Sequence, residues 1–286
     1  MKFKKVAVIG AGVMGIGVTV DLVFHGIDAV LVDNSSTALD HAREEIAKTI
    51  RYAPLLYKNA PKLPLADFMK KITFTLRLED IADCEYVIEN VTEDWEIKQG
   101  VYRALDKICK PGVCFGVDTS CLSITRIASV TGRPERIIGI HFMNPSYLKP
   151  VIEVMRGYHT SEECIEISKQ LLAQMDKEAI VVNDLPGFVS NRASHLFMNE
   201  AAWILQDGVA SADQIDNIFK KCFGHKMGPL ETADLIGLDT VLHSLDVLYE
   251  SYQDAKFRCC PLLRKLVDAG HLGKKTGKGF HEYKKE

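Results

Sequence analysis

A histidine and a glutamate twelve residues apart have the side chains best suited to proton transfer in this chain. His141 closes the apolar run 136–141, and Glu153 lies inside the strand-like run 150–155. A carboxylate flanked by apolar residues is costly to bury without a partner, and a histidine that takes up a proton is a natural one. Because a lone histidine after a strand is more often structural, the prediction of proton transfer rests on the pair.

A glycine-rich turn near the start of the chain has the pattern of a phosphate-binding loop. The apolar, β-branched run 5–9 predicts a buried strand, and it is followed by Gly10-Ala11-Gly12-Val13-Met14-Gly15 and a helical pattern. In this context Gly10 permits a tight turn, Gly12 lets a pyrophosphate approach the backbone, and Gly15 lets the helix pack on the strand. The helix N-terminus, at Val13 and Met14, then faces the phosphates, so the turn predicts a bound dinucleotide.

Asp33 ends the second strand-like run, 29–33, about twenty residues beyond the glycines. A carboxylate there accepts hydrogen bonds from the adenosine ribose and repels a 2′-phosphate, and the sequence that follows contains no nearby arginine. We therefore predict NAD rather than NADP. The alternative is that Asp33 caps the helix beginning near Thr37, although Ser35 and Ser36 can also fill that role.

The elements that must position these residues alternate between strands and helices. Further strands are predicted at 71–74, 86–89, 113–117 and 136–141, and a helix at 96–108. This alternation predicts an α/β, Rossmann-type doubly wound, mostly parallel sheet, whose ligands bind at the carboxyl ends of the strands.

The second part of the chain has a different pattern. Helices are predicted at 191–207, 211–223, 231–254 and 261–269. We therefore expect a NAD-binding Rossmann domain over residues 1–184 and a smaller all-α domain over 185–286 that serves the substrate and dimerisation.

Composition excludes several classes of protein. The 286 residues are 47% hydrophobic and 26% charged, with a net charge of -3, which is typical of a globular protein and unlike a nucleic-acid-binding one. Glycines interrupt the one apolar stretch, after Lys5, that imitates a signal peptide, so we expect a cytoplasmic protein without a membrane span. The eight cysteines form no CxxC pair, and we expect neither disulfides nor a metal site.

Several motifs along the whole chain make it resemble the 3-hydroxyacyl-CoA dehydrogenase family, including the bacterial 3-hydroxybutyryl-CoA dehydrogenases. They are 8–15 (VIGAGVMG), 118–125 (DTSCLSIT), 141–145 (HFMNP), 184–192 (DLPGFVSNR), 227–231 (MGPLE), 237–240 (GLDT) and 273–280 (GKKTGKGF). The resemblance implies an NAD-dependent oxidoreductase of fatty acid metabolism. It also implies a homodimer made by the helical domain and catalysis in the cleft between the domains.

The resemblance assigns roles to four candidate catalytic residues. By motif position His141 is the acid/base, Glu153 orients it, and Ser120 donates a hydrogen bond to the substrate oxygen. Asn191 is a polar contact beside the reacting carbon. The alternatives are that Ser120 caps the helix that follows it and that Asn191 caps the helix after 186–187.

The resemblance also implies cofactor contacts on the nicotinamide side. These come from Glu93 and Lys98 in the segment 93–98, from Asn144, and from Ser120.

Three departures from the family's pattern bear on the substrate. Asp118 and Cys121 stand where the family commonly has asparagine and serine, and Met143 replaces a phenylalanine. In segment 51–64, where the family has a helical hairpin with lysines that meet coenzyme A phosphates, three prolines predict a broken helix.

The proline-containing segment leaves the carrier of the acyl thioester open. The substrate is either a 3-hydroxyacyl-CoA or a hydroxyacyl group on an acyl carrier protein, as in the synthesis of polyketide extender units. Arg51, Lys58 and Lys62 could serve either coenzyme A or a carrier protein.

Two other classes of protein fit the sequence less well. A catalytically silent dinucleotide-binding scaffold would not need His141, Glu153, Ser120 and Asn191 together. A hydroxyacid dehydrogenase of similar domain order would be expected to use a lysine as the base instead of a histidine and glutamate.

Overall fold

The computed structural model describes residues 2–56, 61, 63–120 and 122–284. The chain divides into two compact units, Met1–Leu185 and Pro186–Glu286. Each is described by itself below.

The first unit is built on an eight-stranded sheet with the order β3-β2-β1-β4-β5-β6-β7-β8. All neighbouring strands are parallel except β6 and β7, which are antiparallel. This confirms the predicted Rossmann-type sheet. The strands are β1 Lys5–Ile9, β2 Asp28–Val32, β3 Ile72–Thr75, β4 Tyr86–Glu89, β5 Cys114–Val117, β6 Ile137–His141, β7 Val151–Arg156 and β8 Glu178–Asn183.

The sequence analysis did not predict β8. This strand lies at the edge of the sheet and pairs only with β7, so it buries less of its surface than the central strands do. Its residues 179–182 (AIVV) nevertheless form an apolar run like those of β1, β4 and β6, so the sequence did contain a signal for this strand.

Six helices accompany the sheet within the described part of the first unit. They are α1 Val13–Phe24, α2 Ser36–Leu56, α3 Leu65–Met69, α4 Trp95–Ile108, α5 Ile124–Ala128 and α6 Glu162–Gln174. α4 shows why they begin where they do: the side chain of Asp94 accepts a hydrogen bond from the N–H of Ile97 (3.0 Å), which would otherwise have no partner in the helix.

In segment 51–64, where three prolines were predicted to break the helix, the structure shows the end of α2. The helix continues through Pro54 and ends at Leu56. Pro54 lies in the last turn of α2. Because proline has no N–H, it removes one hydrogen bond from that turn without ending the helix at once. Pro61 and Pro64 lie beyond the helix end, and Lys58 and Lys62 lie outside the described residues.

The core of the first unit lies on both faces of the sheet. Val8, Leu31, Ile88 and Ile140, each from a different strand, are fully buried. Helix residues such as Leu22 pack in the same cluster. The sheet is thus covered by helices and presents its strand ends, not its faces, to ligands.

The second unit is helical, as predicted. Its helices are α7 Ser190–Gln206, α8 Ala212–Cys222, α9 Pro229–Ile236, α10 Leu238–Tyr252 and α11 Pro261–Asp268. The predicted single helix 231–254 was wrong, because the chain breaks at Gly237, whose φ of 106° lies outside the helical region.

The core of this unit is formed by apolar residues of all its helices, among them Met198, Ile215, Leu230, Leu245 and Leu263. In both units, none of the described helices is long and apolar enough to span a bilayer.

Candidate active site

The glycine turn between β1 and α1 has the close backbone approaches that its sequence predicted. Gly10 has a φ of 99°, and a Cβ there would lie 2.7 Å from the carbonyl oxygen of Asn90. A Cβ at Gly15 would overlap the carbonyl oxygen of Gly10, so the helix rests directly on the turn. At Gly12, by contrast, nothing lies within 4 Å of the Cβ position, which leaves open space beside the backbone just before α1 begins at Val13.

Asp33 follows β2 and holds this turn in place. Its Oδ2 accepts a hydrogen bond from the N–H of Ala11 (2.8 Å), and its Oδ1 accepts one from the N–H of Ser35 (2.9 Å). The Oγ of Ser35 in turn accepts from the N–H of Ala38 (3.2 Å) in the first turn of α2. The side-chain cap of α2 is therefore Ser35, and Asp33 bonds instead to the glycine turn.

A cavity of about 570 Å³ opens beside the glycine turn and Asp33. Its walls are mostly apolar, with Asp33 and the backbone of Gly12 among its lining. An apolar slot with a carboxylate and an open glycine backbone suits an adenine ring, a ribose and a pyrophosphate. The remaining lining residues are Ile9, Gly10, Ala11, Val32, Asn34, Ala38, His41, Leu76, Leu78, Asn90, Val91, Thr92, Ile97 and Val101.

The antiparallel pairing of β6 and β7 brings the predicted proton-transfer pair together. His141 and Glu153 are direct partners in the register, and the Nδ1 of His141 lies 3.3 Å from the Oε2 of Glu153. The exposed fractions of these residues are only 6% and 8%. The eleven residues between them contain the turn that reverses the chain, so two residues that are separate in the sequence come into direct contact.

Ser120 lies on the other side of the imidazole. Its Oγ is 3.3 Å from the Nε2 of His141, in the loop after β5. An ionised Glu153 favours the tautomer with a proton on Nδ1, which leaves Nε2 as the hydrogen-bond acceptor. The three side chains thus form a line from Glu153 through His141 to Ser120. The Nε2 of His141, which faces Ser120, is the nitrogen that can accept a proton.

Glu93 organises the loop that contains Ser120. Its Oε1 accepts hydrogen bonds from the Oγ1 of Thr119 (2.5 Å) and from the N–H of Ser120 (3.0 Å). Its Oε2 lies 3.8 Å from the Nζ of Lys98. The Oγ of Ser123 caps helix α5, and Ser120 lies beside His141.

Lys98 is fully buried and is held by a second carboxylate. Its Nζ donates to both oxygens of Glu89 (2.8 and 2.9 Å) and to the carbonyl oxygen of Asp118 (3.0 Å). Burial raises the pKa of the Glu89 carboxyl, while the positive charge of Lys98 opposes that rise. Lys98 therefore ties the ends of β4 and β5 together and reaches toward Glu93.

Asp118 and Glu89 are residues that the sequence analysis did not place in the site. The Oδ1 of Asp118 accepts a hydrogen bond from the N–H of Phe142 (3.1 Å), directly after His141. Burial raises the pKa of Asp118 to about 7. Two features of the sequence pointed to them: Asp118 departs from the family's pattern, and Glu89 ends a buried strand.

Two further predicted contacts are on other segments of the chain. Asn144 is exposed in the segment after β6. Asn191 belongs to the second unit, near the start of α7, where its backbone oxygen bonds to the Nδ1 of His195 (2.8 Å). Cys121 lies outside the described residues. Within the described parts of the chain, no group of three or more histidine, cysteine or acidic residues could hold a metal ion.

Comparisons with known proteins agree with this geometry. The family model for the NAD binding domain of 3-hydroxyacyl-CoA dehydrogenases matches residues 5–185, and the model for the C-terminal domain matches residues 187–283. The 3-hydroxybutyryl-CoA dehydrogenase of Bradyrhizobium diazoefficiens is 41% identical over 281 residues, which cover 98% of this chain and 96% of that protein. A probable 3-hydroxybutyryl-CoA dehydrogenase of Bacillus subtilis is 39% identical and covers 100% of this chain, with 99% of its own length matched.

A solved structure extends the likeness to three dimensions. The crystal structure of (S)-3-hydroxybutyryl-CoA dehydrogenase from Ralstonia eutropha is similar with a TM-score of 0.92 at 36% identity, covering 99% of this chain and 100% of that one. The chain therefore belongs to the 3-hydroxyacyl-CoA dehydrogenase family, as an NAD-dependent oxidoreductase whose residues 5–185 form the NAD-binding domain.

Proposed function

We propose that this protein interconverts a 3-hydroxyacyl-CoA and the corresponding 3-oxoacyl-CoA, with a short acyl group of the 3-hydroxybutyryl type. The observation that carries the proposal is the hydrogen-bonded line of Glu153, His141 and Ser120 at the carboxyl edge of the sheet. The names of the similar proteins from Bradyrhizobium diazoefficiens and Ralstonia eutropha support the substrate class.

In the oxidising direction His141 is the base. Its Nε2 accepts the proton of the substrate hydroxyl as the carbon–hydrogen bond breaks, and Glu153 beside Nδ1 stabilises the imidazolium that results. When bound, NAD supplies the ring that accepts the hydride. In the reducing direction the imidazolium of His141 returns the proton to the oxygen of the 3-oxo group.

Ser120 holds the reacting oxygen. Because its Oγ lies 3.3 Å from the Nε2 of His141, both groups can bond to one substrate oxygen placed between them. Asn191, from the second unit, is proposed to contact the substrate beside the reacting carbon.

Glu93, Lys98 and Asn144 are proposed to serve the nicotinamide side of the cofactor. Glu93 does so by fixing Thr119 and Ser120, and Lys98 by holding Glu93 from a buried position. The phosphates are proposed to lie along Gly12 and the start of α1, and the adenosine ribose against Asp33.

The nature of the thioester handle is the main alternative. The prolines of segment 51–64, in which α2 ends at Leu56, suggest a carrier-protein substrate, whereas the similar proteins from Bradyrhizobium diazoefficiens and Ralstonia eutropha are named for a coenzyme A thioester. We therefore favour coenzyme A as the handle.

The test follows NADH absorbance while the same 3-hydroxybutyryl group is presented on coenzyme A and on a phosphopantetheinylated carrier protein. We expect efficient turnover of the coenzyme A thioester, with the carrier-protein form slower by at least about tenfold. His159→Gln, an exposed histidine of the first unit, serves as the matched control for His141→Gln. Turnover on the carrier protein alone would contradict the choice of coenzyme A, and turnover of neither thioester would contradict the proposed function.

We further propose that the protein acts as a homodimer through its second unit. That unit exposes large apolar side chains, including Val209, Phe223 and Leu235, which are 75%, 68% and 55% exposed. Exposed apolar surface of this kind is typical of protein–protein contacts. Sedimentation velocity should give a mass of two chains, and Phe223→Asp should shift it toward one.

A further inference from the structure

The described residues around His141 hold more acidic groups than basic ones. Asp118 projects from the end of β5, where its Oδ1 accepts the N–H of Phe142 and thereby fixes the residue next to His141. Its exposed fraction is 9%, so water can compensate little of its charge.

The titratable groups facing Asp118 come from every element packed against it. β4 contributes Glu89 and β6 contributes His141, whereas Glu93, in the turn after β4, contacts Lys98, and Glu153, on β7, contacts His141. α4 contributes Lys98 and Tyr102.

The charges of these groups do not balance. Two buried carboxyl groups, Asp118 and Glu89, lie beside one lysine, Lys98, which is already bonded to Glu89. Like-charged carboxylates at short range cannot both remain ionised at low cost, so one of the two carboxyl groups is driven to keep a proton. Asp118 accepts one backbone N–H on its carboxyl, whereas Glu89 has Lys98, so Asp118 is the less compensated of these two buried groups.

We propose that Asp118 is a second proton-binding group of the site, which positions the end of β6 and sets the charge that His141 carries. It acts through His141 and is a positioning residue. The inference rests on the proposed function, because it concerns the same proton. The raised pKa of Asp118, about 7, agrees with it.

The direction of the effect follows from charge. An ionised Asp118 stabilises the imidazolium form of His141. Oxidation of the hydroxyl group needs neutral His141. With Asp118 ionised, this oxidation therefore begins at higher pH. In Asp118→Asn the negative charge is gone while the acceptor for the N–H of Phe142 remains. We expect the midpoint of the pH profile of kcat/KM in the oxidising direction to move down by about 1 pH unit.

A second consequence does not depend on activity. The pKa of Asp118 is raised from its ordinary value of 3.8 to about 7, so ionising it disfavours the folded state as pH rises between those values. The amide variant cannot ionise. The Tm of Asp118→Asn minus that of the wild type should therefore increase from pH 4 to pH 7 and stay constant above it.

The experiment combines both readouts with a matched control. Asp268→Asn makes the same change of charge at an exposed position of the second unit and should move neither the profile nor the pH dependence of Tm. If Asp118→Asn does not fold, infrared spectra of wild-type protein carrying ¹³C-labelled aspartate carboxyls should show a protonated aspartate that titrates near pH 7.

The outcomes separate this inference from the proposed function. The role of Asp118 is overturned if Asp118→Asn leaves the midpoint of the pH profile unchanged and its Tm difference from the wild type does not vary with pH. It is also overturned if the infrared spectra show no titrating aspartate. In either case the proposed function stands as long as His141→Gln abolishes turnover. Full turnover by His141→Gln would instead overturn the proposed function on which the inference rests.

Discussion

Buried or partly buried carboxylates occur in both units, but those of the first unit lie around the candidate base, whereas those of the second unit fasten segments of its fold together. In the first unit, Glu89 bonds to a lysine side chain, and Glu93 to the hydroxyl group of a threonine beside the candidate base. In the second unit Asp216 accepts the N–H groups of Leu230 and Glu231 at the start of α9.

Asp234 is another buried carboxylate of the second unit. It accepts the N–H groups of Phe280 and His281 (2.9 Å each) and the hydroxyl of Tyr283 (3.0 Å), and so fastens the C-terminal segment to α9. Burial raises the pKa of Asp234 as it does that of Asp118. A raised pKa therefore does not by itself distinguish a reacting site from a structural one, and the difference is that Asp118 lies beside the candidate base His141.

The largest effect on stability is expected at Lys98. Lys98→Met removes the only lysine of the buried cluster in the described structure and leaves Glu89 without its counter-charge. We expect a loss of about 3–5 kcal/mol in the free energy of unfolding, measured by urea denaturation. Lys98→Met combined with Glu89→Gln should recover part of that loss, and a double variant as unstable as the single one would show that the charge of Glu89 is not the cause.

In the second unit, Asp234→Ala should cost about 1–3 kcal/mol, because it leaves two backbone N–H groups and a tyrosine hydroxyl unsatisfied. The loss should be accompanied by faster hydrogen exchange in residues 279–283 and by little change in exchange at β6 and β7. Equal loosening of the first unit would contradict the view that this carboxylate is local and structural.

A smaller effect is expected at Asp33. Asp33→Ser keeps a short polar group near the N–H of Ala11 but removes the charge, so the KM for NAD should rise by about tenfold, or about 1.4 kcal/mol. The discrimination against NADP should fall at the same time. If the KM for NAD is unchanged, the carboxylate only supports the glycine turn.

The sequence allowed the sheet to be predicted because its central strands are apolar on both faces, as in β1 and β6. Two features were not predicted from it, namely β8, although its residues 179–182 are apolar, and the break at Gly237 between two helices of similar pattern. A single glycine in a helical pattern is often tolerated, and only the positive φ that the tertiary structure imposes there ends α9.

The candidate site was partly predictable for a similar reason. His141 and Glu153 could be paired because each lies in its own recognisable strand, and the glycine turn has a local pattern. The buried links of Lys98 to Glu89 and of Asp118 to Phe142 join residues 9 and 24 positions apart, respectively, on different elements. Such contacts depend on the order of the strands, which a single sequence does not encode locally.

The central claim is that His141 transfers the proton, and one measurement tests it most directly. The rate of NADH formation from 3-hydroxybutyryl-CoA is compared for wild-type protein, His141→Gln and His159→Gln at saturating NAD. We predict that kcat of His141→Gln falls by about 10³-fold while its Tm and its binding of NADH stay within error of the wild type. A His141→Gln variant that keeps more than a tenth of the wild-type kcat would contradict the assignment of His141 as the acid/base.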